Sequence, residues 1–370
     1  MSKNIQEIPF TEIVERVQEL GRLPDNVLDK IRGITQDVYI REITKKYDWN
    51  FLFATSSLTT TARYNLGLAT VNTGDTTVTF NADAVFDATF TGRRLKISGV
   101  AGEYTATFSN TTALTINPAF RHTSNISAQA YAVYQPVYTL AASFDRFPKN
   151  AGPYQWSGST KQFLEFNYYQ DWVRDYSTTP GIPARVIFSD ADTAGAPRIE
   201  LNPSPLTSIN LHYDYIRKVR PLIQSTGLLI ALSANQTTVL GLPGRSQFND
   251  ATTGDWIRVD ELGKSSDSEW HRVIAIANNS SLTLAANFAN TAITSSANYT
   301  LARAPEIPTE LHTSIIHGSL KYLMSDQNDP QFQVYTALFA EALSDSKRIH
   351  VTRTQPQKVA LIAEDFDYRR

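Results

Sequence analysis

The side chains most able to hold a metal or move a proton near neutral pH are six histidines: His122, His212, His271, His312, His317 and His350. Their spacing argues against both roles. No HxxxH or HExxH pair occurs, and His312 and His317, five residues apart, fall on different faces of a helix. Each is expected to be a surface or capping histidine. The segment Asp190-Ala191-Asp192-Thr193-Ala194-Gly195 begins like a calcium loop. Ala194 stands where a ligand is needed and Leu201 where the bidentate glutamate belongs, so an EF-hand is rejected and a loop-bound ion left open. There is no GxSxG, no Walker A and no GxGxxG after a strand, and Gly241-Leu242-Pro243-Gly244-Arg245 reads as a turn. Scattered carboxylates give no spacing for glycan hydrolysis. The sequence predicts no enzyme, no cofactor and no metal site.

Aromatic residues are the other chemistry-bearing group. Phe144, Phe147, Tyr154 and Trp156 cluster, followed by Phe163, Phe166, Tyr169 and Trp172. Such rings can stack sugars or bases. Without an accompanying basic stripe, core or subunit interface is the reading that fits. With 34 basic and 36 acidic residues the chain has net charge −2, so no global field holds nucleic acid. With no cysteine, disulfides, thiolate nucleophiles and Cys-based metal sites are excluded. Residues 1–7 lack an apolar h-region, and no run of about 18 apolar residues occurs, so neither a signal peptide nor a membrane helix is expected.

The elements that position these residues follow from periodicity. Residues 9–54 predict two helices, the first ended by Gly21 and the second opened by Pro24-Asp25. They end in Tyr47-Asp48-Trp49-Asn50-Phe51, read as a core plug or a partner surface. Residues 59–136 alternate Thr, Asn and Gly with apolar residues and predict a small all-β domain. Ser159-Thr160-Lys161-Gln162 has capping-box form and predicts a helix running to Pro180. Strands are expected at 184–188, 198–201 and 208–215, the last two joined as a hairpin through Asn202-Pro203-Ser204-Pro205.

Residues 224–303 repeat the first β domain. Thr77-Val78 matches Thr238-Val239, Leu95 and Ile97 match Ile257 and Val259, and Glu103-Tyr104 matches Glu269-Trp270. Leu114-Thr115-Ile116 matches Leu282-Thr283-Leu284, Phe120 matches Phe288, and Tyr131 matches Tyr299. The offset rises steadily from 161 to 168, as expected for a duplication with longer loops in the second copy.

Pro305 to Leu323 then returns the chain to helix. Thr309 is expected to cap it, with Leu311, Ile315, Ile316, Leu320 and Leu323 on one stripe. A last helix opens at Asp329-Pro330 and carries Phe332, Tyr335, Leu338, Phe339, Ala342 and Leu343. The fold class expected is α+β: a helical frame with a small β-hairpin region, carrying two duplicated all-β, barrel- or sandwich-like domains. Frame-packing residues are Trp49, Leu311, Ile315, Leu323, Phe332 and Leu338. The returning helix is expected to pack with the helices of 9–54 and 329–343. Residues 349–370 show no period, but Glu364 to Arg370 alternates acidic and aromatic residues. It reads as a docking tail through Phe366, Tyr368, Arg369 and Arg370.

Taken in order, these pieces resemble the adaptor, or head-to-tail connector, proteins of tailed bacteriophages. The resemblance is carried by the helix pair ending at Trp49-Asn50-Phe51-Leu52 and a strand pair interrupted by the first β domain. It continues through Gly181 to Phe188, Ile199 to Pro205, Leu211 to Tyr215 and the two closing helices. It covers roughly residues 5–58, 137–223 and 304–348, and the domains expected are a discontinuous frame of 1–58, 137–223 and 304–348, inserted domains at 59–136 and 224–303, and a tail at 349–370. The resemblance implies a homo-oligomeric ring, commonly of twelve subunits, seated under a portal protein at the head–tail junction of a virion. It also implies tail or nozzle proteins as partners, no membrane, assembly in host cytoplasm, and DNA passing through the lumen without sequence-specific binding. The alternative is a tail structural protein whose duplicated β domains anchor fibres or contact carbohydrate.

Overall fold

The computed structural model describes residues 7–81, 83–148, 151–167, 170, 172, 177, 179–231, 236–260, 269–287 and 297–351. It is a mixed α and β structure with several sheets and, among the described residues, four α-helices of defined extent. The chain forms two compact units, one of residues 52–218 and one of residues 1–51 with 219–370. The residues expected to make a single frame are divided between them. Positions 137–218 lie in the first unit, and positions 1–51 and 304–348 lie in the second together with the repeated β domain.

In the first unit β1 (Phe53–Thr59) leads into a β module. Its strands are β2 (Ala69–Val71), β3 (Thr77–Phe80), β4 (Arg94–Ile97), β5 (Tyr104–Asn110), β6 (Ala113–Asn117), β7 (Ile126–Gln129) and β8 (Tyr131–Tyr134). The order is β7-β2-β3-β6-β5-β4-β8. β7 and β8 are one passage of chain broken at Ala130. That passage pairs with β2 on one side and β4 on the other, so no long edge is left open. Strict alternation sends Val78, Phe80, Leu95 and Ile97 inward to meet Phe86, Phe120 and Val133, while the intervening threonines and charges face water.

The rest of this unit is β9 (Val137–Thr139), β10 (Phe144–Arg146), β11 (Tyr154–Ser157), β12 (Thr160–Phe163), β13 (Glu165–Phe166), β14 (Arg185–Ala191), β15 (Pro197–Asn202) and β16 (Asn210–Arg217). β1-β16-β11-β12 form one sheet with β10 beside β16, and β13-β14-β15-β9 form another. Leu211, Tyr213 and Tyr215 from one sheet and Val186, Ile199 and Leu201 from the other fill a shared core. Three expectations are corrected here. First, Thr160–Phe163 is strand, and between it and Pro180 the only described helical residues are Gln170 and Trp172. The segment read as a capping box is the return of a hairpin whose two-residue turn places Gly158 at φ 60, a conformation favouring glycine. Secondly, Asn202 to Pro205 does not join a hairpin, because β15 and β16 belong to different sheets. Prolines cannot donate to a ladder, so they suit a crossing between sheets. Thirdly, β1 and β9, which flank the module, also lie in different sheets rather than pairing.

The second unit begins with α1 (Phe10–Gly21), α2 (Leu28–Asp37) and a π-helical turn, Val38–Thr44. It then holds a closed barrel of β17 (Gln224–Ala231), β18 (Thr238–Gly241), β19 (Trp256–Asp260), β20 (Trp270–Asn278), β21 (Ser281–Leu284) and β22 (Ala297–Ala302). Two helices finish it, α3 (His312–Asp326) and α4 (Phe332–His350).

The barrel order, β17-β18-β21-β20-β19-β22, reproduces β2-β3-β6-β5-β4-β8 strand for strand. Registers agree at central core pairs. Val78 faces Leu114 as Val239 faces Leu282, and Leu95 faces Val133 as Ile257 faces Leu301. One expected match shifts. Tyr104 lies opposite Leu95, and His271 lies opposite Ile257, so the counterpart of Tyr104 is His271 rather than Trp270. Phe288, the expected match of Phe120, lies outside the described residues, as does most of the longer loop, 261–268.

Candidate interaction surfaces

The returning passage is where the second unit is tied together. Pro308 opens a short 3-10 turn, Thr309–Leu311, and α3 follows. Thr309 does not cap the helix; its hydroxyl donates to Glu310. The tie is His312, fully buried, whose Nδ1 accepts the Ile8 amide at 3.1 Å while Nε2 lies 3.1 Å from the Ile307 carbonyl oxygen. Burial holds its imidazole below the usual histidine range.

Leu311, Ile315 and Leu323 are buried, and α3 packs against α1, α2 and α4. The close approach is made at Gly318 and Ser319. A β-carbon at Gly318 would sit 2.6 Å from Val38 and 3.0 Å from Phe339. The Ser319 hydroxyl donates to Thr35 on α2 at 3.2 Å. Trp49 is also fully buried, with Nε1 donating to the Ile43 carbonyl at 2.8 Å and its ring stacked on Phe51. The last helix differs from expectation. Phe339 and Leu343 are its buried apolar residues, Phe332 is half-buried, and Leu338 faces water at 37% exposure. The helix turns its 339–343–346 stripe inward, which carries position 338 to the rim. Phe366, Tyr368, Arg369 and Arg370, the expected docking residues, lie outside the described residues.

A cleft of about 380 Å³ opens between α2, the π-helical turn and α3. Its apolar floor is Ile34, Val38 and Tyr322. Lys30 pairs with Asp326 and Arg41 with Asp37, and the remaining wall carboxylate, Glu42, hydrogen-bonds with Tyr322. At the end of the barrel, the residue before β19 and the residue after β22 form an ion pair that periodicity could not reveal. Arg303 grips Asp255 with two bonds of 3.1 Å and donates to the Pro221 carbonyl at 2.9 Å. Both side chains are buried. The only sequence signal was charge abutting an apolar strand end: Leu301-Ala302-Arg303, and Asp255 after a Thr-Gly turn.

The aromatic groups divide. Phe144 is core, stacked on Tyr215. Trp156 and Phe163, on the β11–β12 hairpin, are half exposed around a buried Tyr154, with Lys161 over the Tyr154 ring at 4.2 Å and bonded to Asp214. The Asp190–Gly195 segment is the end of β14 and the turn that leads to β15. There the Asp192 carboxylate accepts the amides of Ala194 and Ala196 at 2.9 and 2.8 Å. Among the described residues no group of three or more His, Cys, Asp or Glu could hold a metal, and no helix is long and apolar enough to cross a membrane.

No protein-family model and no curated protein matches the chain. Among solved structures it is similar to translation elongation factor SelB from Methanococcus maripaludis in its apo form. The identity is 10% and the TM-score 0.16, over 69% of this chain and 63% of that one, so the chain spans less than two thirds of that factor. The same factor in complex with the GTP analogue GppNHp gives 11% identity and a TM-score of 0.16, over 76% and 68%. Likeness of that size carries no argument about fold or function.

Proposed function

We propose that the chain is a structural subunit of a bacteriophage head-to-tail connector, assembled as a ring on the order of twelve copies below a portal and open to passing DNA. The observation that carries this reading is the helical bundle. Helices from both ends of the sequence, α1 and α2 with α3 and α4, pack together, and a complete barrel is threaded between them. That is the order of pieces in the connector resemblance. Near-neutral net charge suits a lumen through which DNA must slide, since a strongly basic one would hold it.

The test is to purify the full chain with the portal protein of the same virus and weigh the complex by native mass spectrometry. A ring of many copies on the portal is the expected result. A chain that remains monomeric and ignores the portal overturns the reading.

A second reading rests on the shared strand order of the two modules and the outward threonines of the first, Thr70, Thr79 and Thr107. In it the modules anchor fibres or touch carbohydrate. Particles that assemble normally but lose fibres when the modules are altered would favour it, and the two readings are compatible.

A further inference from the structure

We infer that the outer face of the second β module is the contact surface for a second copy of this chain, and that it meets the outward face of α4 on that copy. The inference rests on the multi-copy reading above and names the surfaces through which copies meet.

The two modules act as each other's control. At β3 the first module turns Thr79 to water; the second has Leu240 at the equivalent place, 46% exposed. The second module also contains two bulges absent from the first. On β17, Leu229 and Ala231 face Gly241 and Leu240, leaving Ile230 as an extra residue; on β2, Ala69 and Thr70 face Phe80 and Thr79 with none. On β20, Val273 and Ala275 face Leu284 and Thr283, leaving Ile274 extra; on β5, Ala106 and Thr107 face Ile116 and Thr115 with none. Both extra residues are isoleucines, and both point outward, at 44% and 48% exposure.

A bulge disrupts the ladder and re-aims a side chain. The first module builds the same barrel order without these two, so folding does not require them. Threonine serves the outward position at Thr79 and suits a strand as well as an aliphatic does. The exposed large aliphatics of the first module, Leu66, Leu68 and Val85, lie outside its strands, whereas the second holds Ile230, Leu240 and Ile274 toward water on its strands, as a covered sheet face needs.

Charge selects the occupant. β17, β18, β20 and β21 contain no aspartate or glutamate. Arg272 is exposed on the Ile274 face, and Arg245 is exposed in the turn after β18. The surface is therefore apolar with a positive rim. The outward stripe of α4 is its complement. Val334 and Leu338 are 57% and 37% exposed, and Glu341 and Asp345 continue the same helical face. Two different, complementary patches on one chain make a heterologous contact, which repeats from copy to copy and closes into a ring when the rotation allows. The opposed charges fix which patch meets which.

The natural chain has no cysteine, so disulfide trapping reads this contact without background. The full chain carrying Leu240→Cys and Leu338→Cys is oxidised under mild conditions. A ladder of linked species above the dimer is expected, collapsing with reductant. Each single variant should stop at the dimer, and Thr79→Cys with Leu338→Cys should give no ladder. Arg272→Glu should weaken assembly roughly tenfold, and adding Glu341→Arg should restore it. Absence of the ladder, an equal ladder from the Thr79 pair, or a charge swap that does not rescue overturns the proposal. A ring on the portal that forms undiminished with Leu240→Thr and Ile274→Thr overturns this surface and leaves the connector reading standing. A chain monomeric both alone and with the portal overturns both.

Discussion

The two β modules share strand order and the register of their central core pairs, yet they close their necks with opposite charge. In each, a Thr-Gly turn delivers one residue to the neck. In the first that residue is Arg93; in the second it is Asp255. Arg93 reaches back to Thr89, donating to its carbonyl and its hydroxyl at 3.0 Å each, and lies over the Phe90 ring at 4.2 Å. Burial lowers its pKa, offset in part by Asp87. Gln135 stands at the end of the first module's last strand and bonds Thr61 and the Val137 carbonyl. Arg303 stands at the same place in the second and takes Asp255 in a two-pronged grip. The apolar register determines the barrel, and the polar closure is free to change sign. What decides the closure is the chain passing by: the Arg303 carbonyl accepts the Phe10 amide, so the second neck is also where α1 begins.

The largest effect that could break this comparison is removal of each neck cation. Arg303→Ala leaves the Asp255 carboxylate buried and unpaired, which should cost about 3–5 kcal/mol in urea unfolding. Arg93→Ala loses a ring contact and two bonds to near neighbours but strands no buried charge. It should cost about 1–2 kcal/mol. Equal losses would show that the two necks are not closed differently. Asp255→Leu with Arg303→Met should recover most of the larger loss, because an apolar pair of similar volume avoids the desolvation penalty.

Where the modules share chemistry, the effects should match. The Asn110 side chain accepts the Thr112 amide at 2.9 Å, and the Asn278 side chain accepts the Ser280 amide at the same distance. Asn110→Ala and Asn278→Ala should each cost about 1 kcal/mol by the same denaturation experiment. A difference well beyond that figure would mean that one hairpin carries a load the other does not.

Much of this was legible in the sequence because apolar residues recur at matched spacing. Val78, Leu95 and Leu114 announced Val239, Ile257 and Leu282, and the core confirms each as buried. The single-residue bulges at Ile230 and Ile274 were not legible. An offset that drifts by one can be assigned to any nearby loop, and for that reason Tyr104 was first set against Trp270. The Asp255–Arg303 pair was missed because it joins residues 48 positions apart with no periodic signal. Ser159 to Gln162 misled because a capping box and a Gly-Ser hairpin use the same small polar residues. On α4 the stripe was found but its rotation was not, since Leu338 and Phe339 are equally apolar and packing alone chose between them.

The smallest effect separates the second neck from the passage behind it. His312 is buried with one ring nitrogen accepting the Ile8 amide, so the neutral ring is the form that fits. Its folded pKa lies below the ordinary value of about 6.5, and burial is the main cause. The unfolded chain therefore binds the proton more readily. The contribution is fully present above that ordinary value and is lost as pH falls below it, at no more than about 1.4 kcal/mol per pH unit for one proton. Amide exchange at Ile8, corrected for intrinsic rate, should accelerate between pH 7.5 and 5, whereas the Phe10 amide, held by the Arg303 carbonyl, should change less. His312→Gln should flatten the Ile8 profile. If the Phe10 amide accelerates in step with Ile8, acid opens the neck itself, and the closure at Asp255 and Arg303 is not independent of the histidine behind it.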